Sequence, residues 1–340
     1  MFFRLGVIGL LLVLGDCLVS GDEYFRIVPP ALNSVRFVDD RHGWLAGNKG
    51  LFYTDDGGET WQRQPIKLGA ALHSSVRLAI EEEGRIVFAD QNSAIVRTAT
   101  GLATGDAISQ VWNHIPIARR ILQGQRSMAF ADRLHGWSVG PFGAAYRTSD
   151  SGKTWTRIAT RTVKHLHSVF VVAYKDVWVS GGEGILMHTM DGGETWKWTQ
   201  IDTSADLFFV KFFGAQEGWV CGTAGLVLHT SDGGEHWDRM RLPFSSGTGL
   251  NSASFLTKHE GWLAGVSWYD DNVSKKEKNI IAILYTKDEG LHWETQGSKF
   301  EDTLVDICAL PSGKVWTIGI NGTILRTLDY GKHWYPIMIE

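Results

Sequence analysis

The chain has 340 residues, 44% of them hydrophobic, 21% charged and 11% aromatic, a globular composition that excludes collagen, coiled coil and long disorder. Lysine plus arginine number 33 against 37 aspartate plus glutamate, a net charge of -4, so no basic excess points to nucleic acid or to an anionic membrane surface. The counts that depart from average usage are 39 Gly and 15 Trp beside 8 Pro, which imply many tight turns and one aromatic position used repeatedly.

The N-terminus reads as a secretory leader. Arg4 precedes the apolar stretch from Leu5 to Leu14, and small residues follow as far as Gly21, the pattern of a signal peptide cut near Gly21. As a membrane span the stretch is too short, since crossing a bilayer takes ~20 apolar residues. Cys17 raises lipid attachment as an alternative, for which Asp16 just before it is a poor neighbour. No later apolar run approaches span length, so the reading is a leader over 1–21 and an exported chain over 22–340 with no transmembrane span. The segment from Tyr24 to Pro29 is expected to enter the fold as an outer strand.

Internal repetition dominates the rest of the chain. Six segments carry Thr-x-Asp-x-Gly-x-x-Trp, closing on Trp61, Trp155, Trp196, Trp237, Trp293 and Trp334. Three of the intervals are 41 residues, one is 56 and one is 94. A worn copy fills the longest, beginning near Ser75 and ending at Trp112, with Arg97 and Thr98 where the turn should start and its Asp lost. The interval of 56 holds an insertion, Val266 to Asn279.

Each unit holds four strand-like runs, in the first unit Ser34 to Phe37, Trp44 to Ala46, Leu51 to Thr54 and Thr60 to Arg63. Short strands joined by Gly and Asp turns at a period near 41 predict an all-β fold, a single seven-bladed β-propeller of four-stranded antiparallel blades. The expected blades span about 31–66, 72–116, 124–160, 165–201, 205–243, 249–297 and 302–338. Cys221 and Cys308 then fall in non-adjacent blades, which favours buried, reduced thiols over a disulfide.

The repeated residues have structural roles. The element is the Asp-box, whose Asp (Asp56, Asp150, Asp191, Asp232, Asp288 and Asp329) accepts backbone N–H bonds across a tight hairpin, while its Gly takes the positive φ of the turn. One fixed carboxylate per box is too few for Ca²⁺, which takes six to eight oxygens. The tryptophan of the second strand (Trp44, Trp137, Trp178, Trp219, Trp262, Trp316) recurs at one blade position and reads as core, not as an exposed sugar platform.

Asp-boxes behind a leader, with the Gly-Trp hairpins Phe37 to Trp44 and Phe130 to Trp137, resemble the photosystem II stability/assembly factor family from about Asn33 to Trp334. The resemblance implies an exported, non-enzymatic propeller that binds membrane-protein partners during assembly, in the periplasm, outside the cell, or in the thylakoid lumen of a photosynthetic host. Other Asp-box families fit less well. Sialidases have six blades and an Arg-Ile-Pro segment, which the stretch from Tyr24 to Pro29 matches only with one residue too many. Xyloglucan-degrading glycosidases use two facing propellers, and sortilin-like receptors use ten blades with a Cys-rich module.

No Gly-x-Ser-x-Gly, Walker loop, Cys-x-x-Cys or His-Glu-x-x-His motif occurs. His165 and His167 share a strand face without a visible third zinc ligand. The innermost strands carry Arg36, Arg77, Arg126, His167 and Lys211 in blades 1 to 5 and Asp306 in blade 7. Such a basic half-ring is the expected partner-binding site, suited to a carboxylate or an acidic peptide. The reading is therefore a monomeric protein-binding scaffold that needs no cofactor or metal and binds no nucleic acid. The alternative is a glycan-binding or glycoside-hydrolase propeller, which would need two carboxyls about 5–9.5 Å apart. A third reading makes the 266–279 insertion the contact within a larger envelope complex.

Overall fold

The computed structural model describes residues 31–48, 50–64, 124–243, 248–267, 280–297 and 302–339, and the backbone of four strands between 77 and 116. The expected leader, the Tyr24 to Pro29 segment and residues 268–279 of the insertion lie outside the described residues. The described strands form four-stranded antiparallel sheets, each a meander of consecutive strands. Six sheets are described to the side chain, and the strands Arg77–Ile80, Ile86–Ala89, Ala94–Thr98 and Trp112–Pro116 pair in the same way between the first and third repeats. The protein is an all-β propeller of four-stranded blades.

A four-stranded meander has two faces and cannot bury either alone, so each blade packs on its neighbours. The core is accordingly a series of inter-blade clusters. One joins Trp178 and Leu186 to Val210 and Phe212 of the next blade, and another joins Trp219 to Leu250 and Phe255. The second-strand tryptophans make these joints, and all six are at most 3% exposed. Trp178 stacks on Phe212 at 4.4 Å, and Trp219 stacks on Phe255 at 4.7 Å. Trp178 also runs under the Thr-x-Asp turn of the following blade, where a Cβ on Gly234 would lie 2.4 Å from its ring. The turn glycine thus answers two demands, a φ of +83° and room for the neighbour's indole.

The same joint links the last blade to the first. Trp316 stacks on Phe37 at 3.6 Å and donates its indole N–H to the Gly57 carbonyl at 3.2 Å. Arg326 adds a bond to the same carbonyl and an ion pair to Glu59 at 2.6 Å.

The Thr-x-Asp turns are closed by their own side chains. The Asp56 carboxylate accepts the Thr54 hydroxyl at 2.7 Å, the backbone N–H groups of Glu59 and Thr60 at 2.9 and 3.0 Å, and the Thr60 hydroxyl at 2.6 Å. Burial alone would raise its pKa, but these donors outweigh it and hold the group at about 2. In the last three blades a histidine replaces the second threonine, and His236, His292 and His333 hold Asp232, Asp288 and Asp329 through Nδ1 at 2.6–2.7 Å. Donating that hydrogen bond to the Asp232 carboxylate raises the His236 pKa.

The insertion departs from the expectation of a loop starting at Val266. Val266 and Ser267 pair with Ile281 and Ile280, so the inserted sequence first lengthens the hairpin of strands Gly261–Ser267 and Ile280–Thr286. Cys221 and Cys308 are both free and buried, as their separate blades imply.

Candidate functional site at the propeller axis

The first strand of each described blade is an edge strand of its sheet and lines the axis, and apart from the Leu166 N–H, which donates to the Gly140 carbonyl of the preceding blade, no main-chain bond from its inner edge to the next blade occurs among the described residues. Its N–H groups therefore need side-chain acceptors from the neighbouring blade. Ser127 accepts from the Val169 N–H at 3.2 Å, and Ser254 accepts from the Ala309 N–H at 3.0 Å. Asp306 accepts from the Val35 N–H at 3.0 Å.

Asp306 does more than close one such gap. Its Oδ2 also accepts from the Ser34 hydroxyl at 3.0 Å and from Arg36 at 2.6 Å. Its Oδ1 takes the Ser252 hydroxyl at 2.8 Å. One buried carboxylate thus ties together the first blade and the last two. Burial works to lower the Arg36 pKa, but the Asp306 charge outweighs it and the pKa is raised.

Hairpin register sets the level of each axial residue. Arg36 lies opposite Trp44 and Lys211 opposite Trp219, so these two cations stand at the same height. Two residues earlier on their strands come Ser34, Ser127, Ser168, Ser252 and Asp306. This polar tier was not singled out from sequence, although the serines recur at the start of the inner strands.

A cavity of about 420 Å³ occupies the axis, with Arg36, Ser127, Ser168, Lys211, Ser254 and Cys308 in its wall. Lys211 donates to the Phe255 carbonyl at 2.7 Å and sits 4.9 Å from the Phe213 ring centre. No carboxylate among the described residues forms an ion pair with it. Burial, reinforced by the Arg36 charge, pushes its pKa down to about 8. Such a cation is poised to gain an anionic partner.

The four basic positions with described side chains fall in two places. Arg36 and Lys211 share the cavity, whereas Arg126 and His167 lie outside its wall and contact each other at 2.5 Å. The displacement has a local cause. Five first strands carry a register shift at equivalent positions, Asn33, His167, Phe208, Asn251 and Val305, between the residues that pair on either side. A bulge of this kind re-aims one side chain. Here it carries His167 to the end of the channel, against Arg126 and the Phe208 ring at 4.8 Å. Arg77 begins a paired strand, and its side chain lies outside the described residues. His165 and His167 have ring centres 6.5 Å apart, and no cluster of three metal-ligating side chains occurs among the described residues.

The profile of the family described as "Photosynthesis system II assembly factor YCF48" matches residues 28–169, 104–207 and 194–295. The chain belongs to this family. Among its curated relatives, the "Photosystem II assembly protein Ycf48" of Thermosynechococcus vestitus is 26% identical over 128 residues, 37% of this chain and 35% of the relative. The "Photosystem II assembly lipoprotein Ycf48" of a Picosynechococcus species is 26% identical over 132 residues, 38% of this chain and 36% of the relative. These matches thus span about a third of each relative's length. The solved structure described as "YCF48 bound to D1 peptide" shares the fold, with a TM-score of 0.66 over 89% of this chain and 93% of that one, at 22% identity. No helix among the described residues is long and apolar enough to cross a membrane.

Proposed function

We propose that this family member is an exported, non-enzymatic scaffold that binds an extended segment of a membrane protein and assists assembly of its complex. The observation that carries the reading is the axial cavity, where Lys211 faces open space at the level of Arg36 without a carboxylate of its own among the described residues. A carboxylate there would gain two charge-assisted hydrogen bonds and relieve the repulsion between the cations. The D1 peptide bound in the solved relative supports an extended ligand. Arg36 and Lys211 are the primary contacts in this reading, with Arg77, Arg126 and His167 as further contacts along the channel. The working molecule is a monomeric ring of seven blades over 22–340, freed from a leader over 1–21. The complex is photosystem II if the host is photosynthetic.

The test is an affinity pull-down of residues 22–340 from detergent-solubilised membranes of the host, with Lys211→Met alongside. Capture of one membrane protein, weakened at least tenfold in the variant, supports the proposal. Retention on a glycan array with no protein captured would replace it with the sugar-binding alternative. The relative named as a lipoprotein gives Cys17 a second reading as a lipid anchor. Metabolic labelling with a radioactive fatty acid separates the two, since cleavage near Gly21 leaves no labelled protein.

A further inference from the structure

We infer that the partner segment enters the axial channel from the end that carries the five bulges, passing over a track of rings formed by Phe142, His165, His167 and Phe208. This rests on the proposed function above and names the face and the contacts it uses.

The two ends of the channel differ in chemistry. At the bulge end the axial positions are Asn33, Arg126, His167, Phe208, Asn251 and Val305, with Asp206 and Asp302 shortly before two of the strands. At the other end the first strands run out through apolar residues such as Val172, Phe213, Leu256 and Leu310. That second end also bears the Thr-x-Asp turns, where Asp39, Asp132 and Asp176 each hold a histidine and add negative charge to the rim, while Glu217 and Asp40 are matched by Lys258 and Lys314. An acidic segment is less favoured there than beside Arg126 and His167 at the bulge end.

The rim of blades 3 and 4 at the bulge end is built as a rigid display. Phe142 lies in the turn between the second and third strands of its blade, with φ 55°, a left-handed conformation that favours Gly or Asn over a bulky ring. The blade connector is stapled to this turn. The Gly143 N–H donates to the Lys164 carbonyl at 2.7 Å, and the Thr160 hydroxyl donates to the Gly143 carbonyl at 2.7 Å. No Cβ fits on Gly143, which would lie 1.9 Å from the Thr162 oxygen. The surroundings hold the turn in this shape, and the strained residue is 72% exposed, as is Val163 nearby at 78%. The same left-handed φ recurs in this turn at Glu183 (55°) and Ala224 (56°), so it belongs to the blade's hairpin, and what is particular here is the aromatic ring that the turn displays to solvent.

The rings then lead inward. Phe142 lies 5.2 Å from His165, His165 lies 6.5 Å from His167, and His167 lies 4.8 Å from Phe208. Ser168, the residue after His167, is already in the cavity wall. Arg126, Arg161 and Lys164 flank the track, with Lys164 paired to Glu183. An apolar side chain of an acidic segment fits on Phe142 and Val163, while its charges meet the basic flank and its leading end reaches Lys211.

Photo-crosslinking tests the face. p-Benzoylphenylalanine is introduced in separate chains as Phe142→p-benzoylphenylalanine, Met128→p-benzoylphenylalanine in the cavity wall, and Leu291→p-benzoylphenylalanine on the turn end, where Leu291 is 73% exposed. Each is illuminated with detergent-solubilised host membranes. One membrane protein is expected to crosslink from 142 and 128 and not from 291. Crosslinks from 128 with none from 142, or from 291 instead of 142, would overturn the face and leave the function standing. No crosslink from any of the three would remove the function and the face together. Phe142→Asn serves as the second variant, because Asn suits the left-handed turn and keeps the fold. It should raise the concentration needed for half-capture about tenfold, and unchanged capture would also overturn the inference.

Discussion

Asp306→Asn is the perturbation that bears most directly on how the ring is held. The carboxylate is 5% exposed and receives Arg36, the Ser34 hydroxyl and the Val35 N–H on one oxygen, and the Ser252 hydroxyl on the other. An asparagine keeps one acceptor and turns an amide N–H₂ toward three donors. Breaking a buried ion pair by removing one partner costs about 3–5 kcal/mol. The Arg36 side chain is 31% exposed, so water recovers part of that, and the lower end of the range, ~3 kcal/mol, applies. For a domain of this size the cost converts to a fall in Tm of roughly 4–5 °C. Differential scanning calorimetry of residues 22–340 reads it directly. Arg36→Met should cost less, about 1–2 kcal/mol, because Asp306 keeps its hydroxyl and N–H donors. A Tm for Asp306→Asn within 1 °C of the wild type would refute the reasoning, and so would a double variant whose loss equals the sum of the two singles.

Further expectations rest on the same geometry. Gly234→Ala puts a Cβ 2.4 Å from the Trp178 ring at a φ of +83° and should destabilise by about 2–4 kcal/mol in urea unfolding, from strain and overpacking together. Asp56 and Asp329 are held at about 2 in the folded chain, below the ~3.9 of an unfolded aspartate. The stability they add is complete above about pH 4 and is lost as pH falls through 2, so the urea midpoint should drop across that window and drop less in Asp56→Asn/Asp329→Asn. Burial pushes both thiols up, Cys308 and, more strongly, Cys221, so neither should react with Ellman's reagent in native residues 22–340 while both react in denaturant. Lys211, near 8, loses its charge as pH rises, so capture of an acidic segment should weaken between pH 7 and 9 and stay flat in Lys211→Met.

Much of the blade architecture was legible because one period repeats the same physics. The Thr-x-Asp turn is closed by hydrogen bonds that each span at most four positions, and the second-strand tryptophan packs into the joint with the neighbouring blade. The channel was less legible, for two reasons. A bulge adds one residue to a strand and moves all that precedes it to another height, which no periodicity of two reveals. His167 therefore read as level with Arg36 and is not. Asp306 read as a lone opposite charge at the axis, because its partners Ser34, Arg36 and Ser252 come from blades at both ends of the chain and meet only when the ring closes. Phe142 gave no signal at all, since nothing in a Pro-Phe-Gly run states that the aromatic will be left in solvent.

The central claim is that the axial cavity receives the partner's acidic segment between Arg36 and Lys211. The measurement that tests it most directly is a crystal structure of residues 22–340 with a synthetic peptide of the segment captured in the pull-down. A carboxylate of the peptide is expected within hydrogen-bond distance of Lys211 Nζ, with the chain leaving past His167. A peptide seated on the turn face or on an outer blade edge, with Lys211 still bonded only to the Phe255 carbonyl, would contradict it.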